Sequence, residues 1–522
     1  MALADPLRKP LTAPQAAHLL RRATFGPTPA QIRQFTGQTP QAAIQALLAT
    51  TPTPSPPIDP TTQKPFHTLA FSQTLQGTWQ AATKYWWLGL MLNEGASLRE
   101  KMTLFWQNHF VSTFAEVNDA RYMYRQNVML RRHALGNFRS FVIEATKDPA
   151  MLRYLDGNVN VAGKPNENYA RELQELFTIG ATNPVTGQKN YTEDDVKAAA
   201  RVLTGWTDTG YRRETTADIT TTFRAAQHDT TDKAFSAAYG NTVIKGRSGT
   251  TAGDDELADL VDMILKQPET ARFIVRKLYR FFINADITPG IEQGFIEPLA
   301  AIFRKDYEIR PVLTALLTSE HFFDDALRGA VIKAPLELNL GTLRYFGIAA
   351  PDPVSNSTGF TALMAYVQSR TNEQQQNIMD QPSVFGWRPY YDVGFYELWI
   401  NSTTLALRGR FTDEAAGGNV RYGTDRITLD TIAQAKLTSD PSDPYKLINE
   451  WTALLFAVDL TPKQRDFLVT SVLMPGVPYY EWTEIWNNYL KAPTVTANLM
   501  AVRTRLNSTL NFMFRMAEYQ LL

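Results

Sequence analysis

Apolar side chains recur along this chain at intervals of three and four residues, the repeat of one helical face, far more often than at alternate positions. From Leu98 to Phe110, Leu98, Met102, Phe105 and Trp106 mark such a face, and His109 falls within it, so its imidazole is predicted to point inward. A second pattern starts at Asn166, with Glu167 in the first turn and Gly180 as the stop, and predicts one helix over about 167–179. Tyr169, Leu173, Leu176 and Phe177 share one face of it, and Asn168, Arg171, Glu172 and Glu175 share another. Start signals agree with the spacing: Thr28-Pro29 and Thr461-Pro462 place a hydroxyl cap before a first-turn proline, and Ser97 to Glu100 and Thr192 to Asp195 have the form of capping boxes. Strand-like segments are few. The clearest, Thr220 to Arg224 and Asn241 to Lys245, are expected to pair as a small hairpin. The expected fold is therefore mainly α, a multi-helical globular protein with a small β-hairpin insertion.

Five prolines within Thr51 to Pro60 cannot sustain a helix and predict a linker or extended loop. The expected organisation is an N-terminal helical segment (1–50), a Pro-rich linker (51–65), a main helical domain holding the site and the β insertion (66–330), and a C-terminal helical layer (331–522). The last boundary is soft, near Ala326 to Lys333, and the layer could belong to the same domain. Long irregular stretches are expected at 207–254, 371–394 and 413–425, and loops of that length often carry function.

Composition narrows the chemistry. The 522 residues are 44% hydrophobic, enough to bury one large core or several smaller ones. Lys plus Arg and Asp plus Glu both number 52, so no global field favours nucleic acid or an anionic membrane. The absence of cysteine excludes disulfides, thiolate metal sites and a cysteine nucleophile, leaving His, Asp and Glu as metal ligands. The greasiest windows, such as Tyr85 to Leu92, fall far short of the roughly 20 apolar residues of a membrane span. Met1 to Pro14 lacks the apolar run of a secretory signal, which leaves the compartment open: a cytoplasmic location is expected for the chain as written, and a periplasmic or secreted one if a leader was removed beforehand.

The polar stripe of the 167–179 helix admits two readings. Facing solvent, Arg171 would pair with Glu175 one turn on, for a few tenths of a kcal/mol. Facing a cleft, Glu172 and Glu175 could ligate a divalent metal ion or raise each other's proton affinity for acid–base work, with Arg171 orienting an anionic substrate. His109 is either a core imidazole bonded to a carbonyl or carboxylate, or a metal ligand or base. His228-Asp229, in the long loop after Trp206, could deliver catalytic groups or form an ordinary turn. Arg121, Arg125, Arg131, Arg132 and Arg139 crowd one region, as an anion site or as a solvated helical face. Aromatics gather around Phe385-Gly386-Trp387-Arg388 and Tyr396 to Asn401, suiting a sugar or peptide platform or a plug of the core. Asn168, Trp206, Trp387 and Trp399 are the substrate-contact candidates. No phosphate-binding loop, dinucleotide fingerprint, HExxH or GxSxG is present.

Several of these segments together resemble the DUF1800 family, a widespread bacterial group without an established general function. The resemblance covers nearly the whole chain. It rests on the segment His18 to Gly26, Phe105-Trp-Gln-Asn-His-Phe110, the segment Asn166 to Phe177, Tyr191 to Val196 with Ala200 to Trp206, His228-Asp229 followed by Lys233, and Phe385-Gly-Trp387 before Trp399-Ile-Asn-Ser402. In the family pattern the place of Gln107 often holds a second histidine, a departure that argues against a two-histidine metal site here. Family members are frequently exported and often occur beside sulfatase-like proteins, which implies by association a role at the envelope or on extracellular polymers, with a sulfatase-like partner.

Two functional expectations result. One is an enzyme, a hydrolase or transferase acting on a polymer or glycan, with Glu172, Glu175, Arg171, His228 and Asp229 as catalytic groups and His109, Glu172 and Glu175 as metal ligands. The other is a non-catalytic binding or assembly protein in which the same residues form a buried network that fixes helix packing.

Overall fold

Helices begin largely where the sequence places hydroxyl caps. The computed structural model of the chain describes residues 3–418, 420–422 and 425–522. Thr28 Oγ1 accepts from the Gln31 amide at 3.1 Å while Gln31 Oε1 accepts from the Thr28 amide at 2.9 Å, which opens the Pro29–Phe35 helix. The same reciprocal box forms at Thr461 with Gln464 and at Thr192 with Asp195. Ser97 and Glu100 do not form one. The Arg99–His109 helix starts after Leu98 with no side-chain cap, because the Glu100 carboxylate is drawn inside by Arg131, at 2.7 and 2.8 Å, and by Trp87 Nε1. A charge-assisted bidentate pair outweighs a cap bond.

The protein is mainly α, as expected, with three two-stranded antiparallel ladders among the described residues. Both segments expected to form the hairpin are strands, but they do not pair with each other. Thr220–Phe223 pairs with Trp206–Thr209, and Val243–Ile244 pairs with Lys233–Ala234. Each finds a partner nearer in the chain, which lowers the cost of closing the loop. In the stretch 413–425, helix continues to Ala416, and positions 419, 423 and 424 lie outside the described residues.

Two hydrophobic clusters fill the interior. The first joins Leu11 to Leu48 with the Phe138–Lys147, Glu193–Val202, Ala252–Leu265, Pro268–Phe282 and Ile309–Thr318 helices. The second joins Gln76–Asn93 with the helices that follow Val331. Three helices among the described residues belong to both: Arg99–His109 sends Trp106 to the first and Leu104 to the second, Ala120–His133 sends Leu130 to the first and Tyr122 to the second, and Pro149–Tyr154 sends Met151 to the first and Ala150 to the second. The Pro-rich stretch is strapped to the body. Asp59 is buried and accepts from Trp79 Nε1 at 2.8 Å, and Ser55 O accepts from Trp86 Nε1 at 2.7 Å. No helix among the described residues is long and apolar enough to cross a membrane.

Near the soft boundary Leu522 returns to pair with the chain around Gly329 and Val331. Gly329 N donates to Leu522 O at 2.8 Å, and Leu522 N donates to Val331 O at 2.7 Å. The buried Arg22 guanidinium, on the Ala13–Ala23 helix, ties this junction down by donating to Ile283 O at 3.1 Å, Leu327 O at 2.9 Å and Leu522 O at 3.2 Å. Removing it would leave buried carbonyls unsatisfied at roughly 1–3 kcal/mol each. Arg22→Met is therefore expected to destabilise the protein by about 3 kcal/mol or more in urea unfolding. Arg22→Lys should recover only part of that, since an ammonium lacks the planar fork. A midpoint for Arg22→Met equal to that of the unaltered protein would contradict this role.

Candidate functional site

The helix that carries the polar stripe changes its winding within the stripe. Asn166 Oδ1 accepts from the Asn168 amide at 2.9 Å, and an α-helical turn, Asn168–Glu172, gives way to a π-helix, Leu173–Thr178. This corrects the single regular helix expected over 167–179. The wide turn is fastened at Gln174: its carbonyl accepts from the Ile179 and Gly180 amides at 3.1 and 2.9 Å, and its Oε1 accepts from the buried Tyr239 hydroxyl at 2.9 Å. Gly180 ends the turn as expected, with φ of +81° and the Phe273 ring 2.8 Å from where a Cβ would stand. π-turns within α-helices frequently mark functional sites.

Arg171 does not pair with Glu175. It turns to Glu193, at 2.7 and 2.9 Å, and to Glu167 at 3.3 Å. Glu193 opens the neighbouring Glu193–Val202 helix and offers both carboxylate oxygens to the guanidinium fork. Asn168 is exposed, its Nδ2 3.2 Å from Asp156 Oδ2. Glu175 accepts from the Tyr191 hydroxyl at 3.1 Å. Glu172 stands apart: it is half-buried and its Oε2 has no hydrogen-bond partner. Burial first, and the neighbouring Glu175 charge second, push its carboxyl up to about 7. Nearby Tyr154 packs against both hydrophobic clusters, and burial together with the Glu116 and Glu172 charges pushes its phenol up to about 12. The acidic pair thus lies beside the seam between the two cores.

Neither candidate imidazole turns toward these carboxylates. His109 is buried, as the spacing predicted, with Nε2 3.0 Å from Phe177 O and Nδ1 without a partner. Burial and Lys277 hold it well below the usual histidine range, so it is a neutral imidazole. Lys277 Nζ donates to Leu176 O at 3.4 Å, so the two side chains together satisfy carbonyls that the end of the π-turn leaves open. His228 is also buried, with Nδ1 2.9 Å from Thr204 O and Nε2 3.1 Å from Glu256 Oε1. Glu256 is sealed in and binds the equally sealed Lys233 at 2.5 Å. Asp229 takes Arg201 at 2.8 Å, and that bond with those from Thr231 holds its carboxyl below the usual range. The loop that carries His228 and Asp229 is tied together by these polar contacts. No three His, Asp or Glu side chains among the described residues are grouped to hold a metal ion, so His109, Glu172 and Glu175 are not assembled as a ligand set.

The tryptophans lie inside. Trp206 packs on Phe223, with ring centroids 5.1 Å apart, and Trp387 and Trp399 pack around Tyr390 at 6.4 and 5.6 Å. Their faces are covered, so they plug the fold, and the aromatic surface left open belongs to Phe385 and Tyr391 at 45% and 39% exposure. The five crowded arginines are each occupied: Arg121 by Asp119, Arg125 by Ile219 O, Arg131 by Glu100, Arg132 by Glu144 and Arg139 by Asp262. With Arg121 and Arg131 buried, they form neither an anion site nor a solvated face.

Three polar groups were not singled out from the sequence: Lys277, Glu256 and Tyr191. Lys277 had a legible signal, since it interrupts the apolar series Phe273, Lys277, Phe281 at i, i+4 and i+8. Glu256 likewise precedes Leu260 and Ile264 on an apolar stripe. Tyr191 had no such signal.

The motif segments therefore converge in space. The Trp387 amide donates to Asn108 Oδ1 at 2.9 Å, and Gly386, with φ of +91°, lets the loop approach so closely that a Cβ there would fall 2.2 Å from that oxygen. No curated protein and no solved structure matches the chain. A family model described as "Protein of unknown function (DUF1800)" matches residues 18–521. With this match spanning nearly its whole length, the chain belongs to the DUF1800 family.

Proposed function

We propose that the protein is a carboxylate-based hydrolase or transferase in which Glu172 is the general acid and Glu175, held by Tyr191, is its charged partner. The observation that carries this reading is the half-buried Glu172 carboxyl with one unpartnered oxygen beside a second carboxylate. Two adjacent carboxyls, one of which keeps its proton near neutrality, can share acid–base work. Here Glu175 accepts the Tyr191 hydroxyl bond, while Glu172 Oε2 has no hydrogen-bond partner. Two wide depressions, of about 600 and 540 Å³, the first lined by Arg410, Asp413 and Arg515 among others and the second by Gln41, Gln45 and Arg310 among others, include no residue of the 166–180 segment. A pair outside both depressions suits a chain-like substrate, such as a glycan, that lies across the surface. The metal is not needed for this reading, and His228 and Asp229 act in it only as scaffold.

A second reading, a binding or assembly protein, is favoured by the saturated partners of Arg171, His228 and Asp229. Turnover separates the two. The purified protein, incubated with a panel of glycans and peptidoglycan, should release shortened or transferred products. Its rate should fall above about pH 7 as Glu172 loses its proton. Glu172→Gln should lower that rate by about 10²-fold or more while leaving the circular dichroism spectrum intact. Equal turnover by Glu172→Gln, or no product from any member of the panel, would contradict the enzyme reading.

The shift also predicts a stability profile. The folded-state value of about 7 lies above the ordinary 4.5, so Glu172 contributes most below pH 4.5, and that contribution is lost as pH rises through 7. Between pH 5 and 8, Glu172→Gln should therefore flatten the decline in Tm seen for the unaltered protein. Parallel Tm profiles for the two would show that Glu172 titrates normally.

A further inference from the structure

A small cavity of about 30 Å³ opens between the Arg99–His109 helix, the Pro268–Phe282 helix and the loop of residues 385–391. Its polar walls are Asn108, His109, Lys277 and Arg280, and Phe385 and Tyr391 stand at its edge. Lys277 and Arg280 are the unusual pair, because among the described residues neither has a carboxylate within 4 Å. Lys277 has only the 3.4 Å bond to Leu176 O and the Phe273 ring 5.2 Å away. Arg280 has only a 3.3 Å bond to Ala285 O and the Phe395 ring at 5.1 Å. Glu292, the acidic group nearest in charge effect, is already spent on Arg276 at 2.7 and 2.9 Å. Two neighbouring cations in a partly desolvated wall repel each other and are left uncompensated. Burial and Arg280 accordingly push the Lys277 ammonium down to about 7.

The cavity also has directed donors and a size. Asn108 Oδ1 is committed to the Trp387 amide, which leaves its Nδ2 as a donor. A site needs roughly 10–15 Å³ of such space for each water-sized atom. About 30 Å³ therefore admits two oxygens side by side and not a whole sugar ring. Phe385 and Tyr391 lie with ring centroids 5.4 Å apart at 31°, and their exposed area offers a shelf for whatever body the two oxygens belong to.

We propose that this cavity binds the carboxylate group of a ligand, with Lys277 and Arg280 as counter-ions, Asn108 Nδ2 as a further donor, and the apolar or ring-shaped body of the ligand resting on Phe385 and Tyr391. The site is independent of the Glu172 reading, since it lies at the other end of the π-turn and uses none of its groups.

The test uses the full chain with sodium acetate, sodium benzoate, inorganic phosphate and sulfate as separate probes at constant ionic strength, followed by calorimetry and ligand-observed NMR. Benzoate is expected to bind, and to bind at least tenfold more tightly than acetate because only benzoate has a ring for the shelf. Lys277→Met combined with Arg280→Gln should abolish both. Phe385→Ala with Tyr391→Ala, at exposed positions that leave the core intact, should weaken benzoate tenfold and leave acetate unchanged. No carboxylate binding, binding unaffected by loss of both cations, or phosphate or sulfate bound more tightly than benzoate would each overturn the proposal. Should Lys277→Met and Arg280→Gln together unfold the protein, the Phe385 and Tyr391 variants still decide it: equal benzoate affinity with and without those rings would refute the shelf.

Discussion

A fold made almost wholly of helices must find donors for the carbonyls that its helix ends bury, and this requirement organises the molecule. The donors are buried cations and imidazoles. Arg22 serves the chain junction, and Arg344 gathers Gly26 O at 2.7 Å with Met91 O and Leu92 O at 3.1 Å each. Arg408 takes Lys333 O at 2.9 Å, and Lys333 in turn takes Tyr519 O at 2.5 Å. His18 lies 3.0 Å from Phe322 O and His109 3.0 Å from Phe177 O. The cost is visible in the proton affinities: burial brings the Arg22 and Arg408 guanidiniums down to about 10. A guanidinium can reach several carbonyls at once, so these side chains join segments hundreds of residues apart where an apolar contact would join two.

This accounts for charged and imidazole groups in several of the segments named above. His18, Arg22 and His109 are carbonyl donors, and His228 and Lys233 enclose Glu256 in a knot that pins the β ladders to the Ala252–Leu265 helix. Such sealed pairs require every partner, because a lone buried charge is far costlier than the pair. What the scaffold leaves unsatisfied is then informative. Glu172 lacks a donor, and Lys277 and Arg280 lack a counter-ion; the first stands at the start of the π-turn and the others beside its end.

The local parts of this arrangement were legible in the sequence. Thr28, Thr461 and Thr192 cap helices because each cap needs only residues three positions away, Gly180 ends its turn because it alone tolerates the backbone, and the apolar spacing placed His109 inside. Groups whose partners are remote were misread. Arg171 prefers Glu193, 22 positions on, to the carboxylate one turn away, and Glu100 leaves its cap for Arg131. The strands are legible but not their pairing, because a strand's own residues do not say which neighbour it meets, and the shorter loops to Trp206–Thr209 and Lys233–Ala234 close at lower cost. The π-turn is not legible because the groups around it, the Tyr239 hydroxyl on the Gln174 side chain and the Phe273 ring beside Gly180, are brought there only by the folded chain.

Glu172 holds a proton near neutrality because burial penalises its charged form and the fold sets the Glu175 charge beside it. The most direct test of this is a carbon-13 titration of the glutamate side-chain carboxyls, with the Glu172 signal assigned by its loss in Glu172→Gln. The account predicts a midpoint near 7 for that signal, moving toward 4.5 when Glu175 is replaced by Gln. A midpoint at the ordinary 4.5, unmoved by the Glu175 substitution, would contradict it.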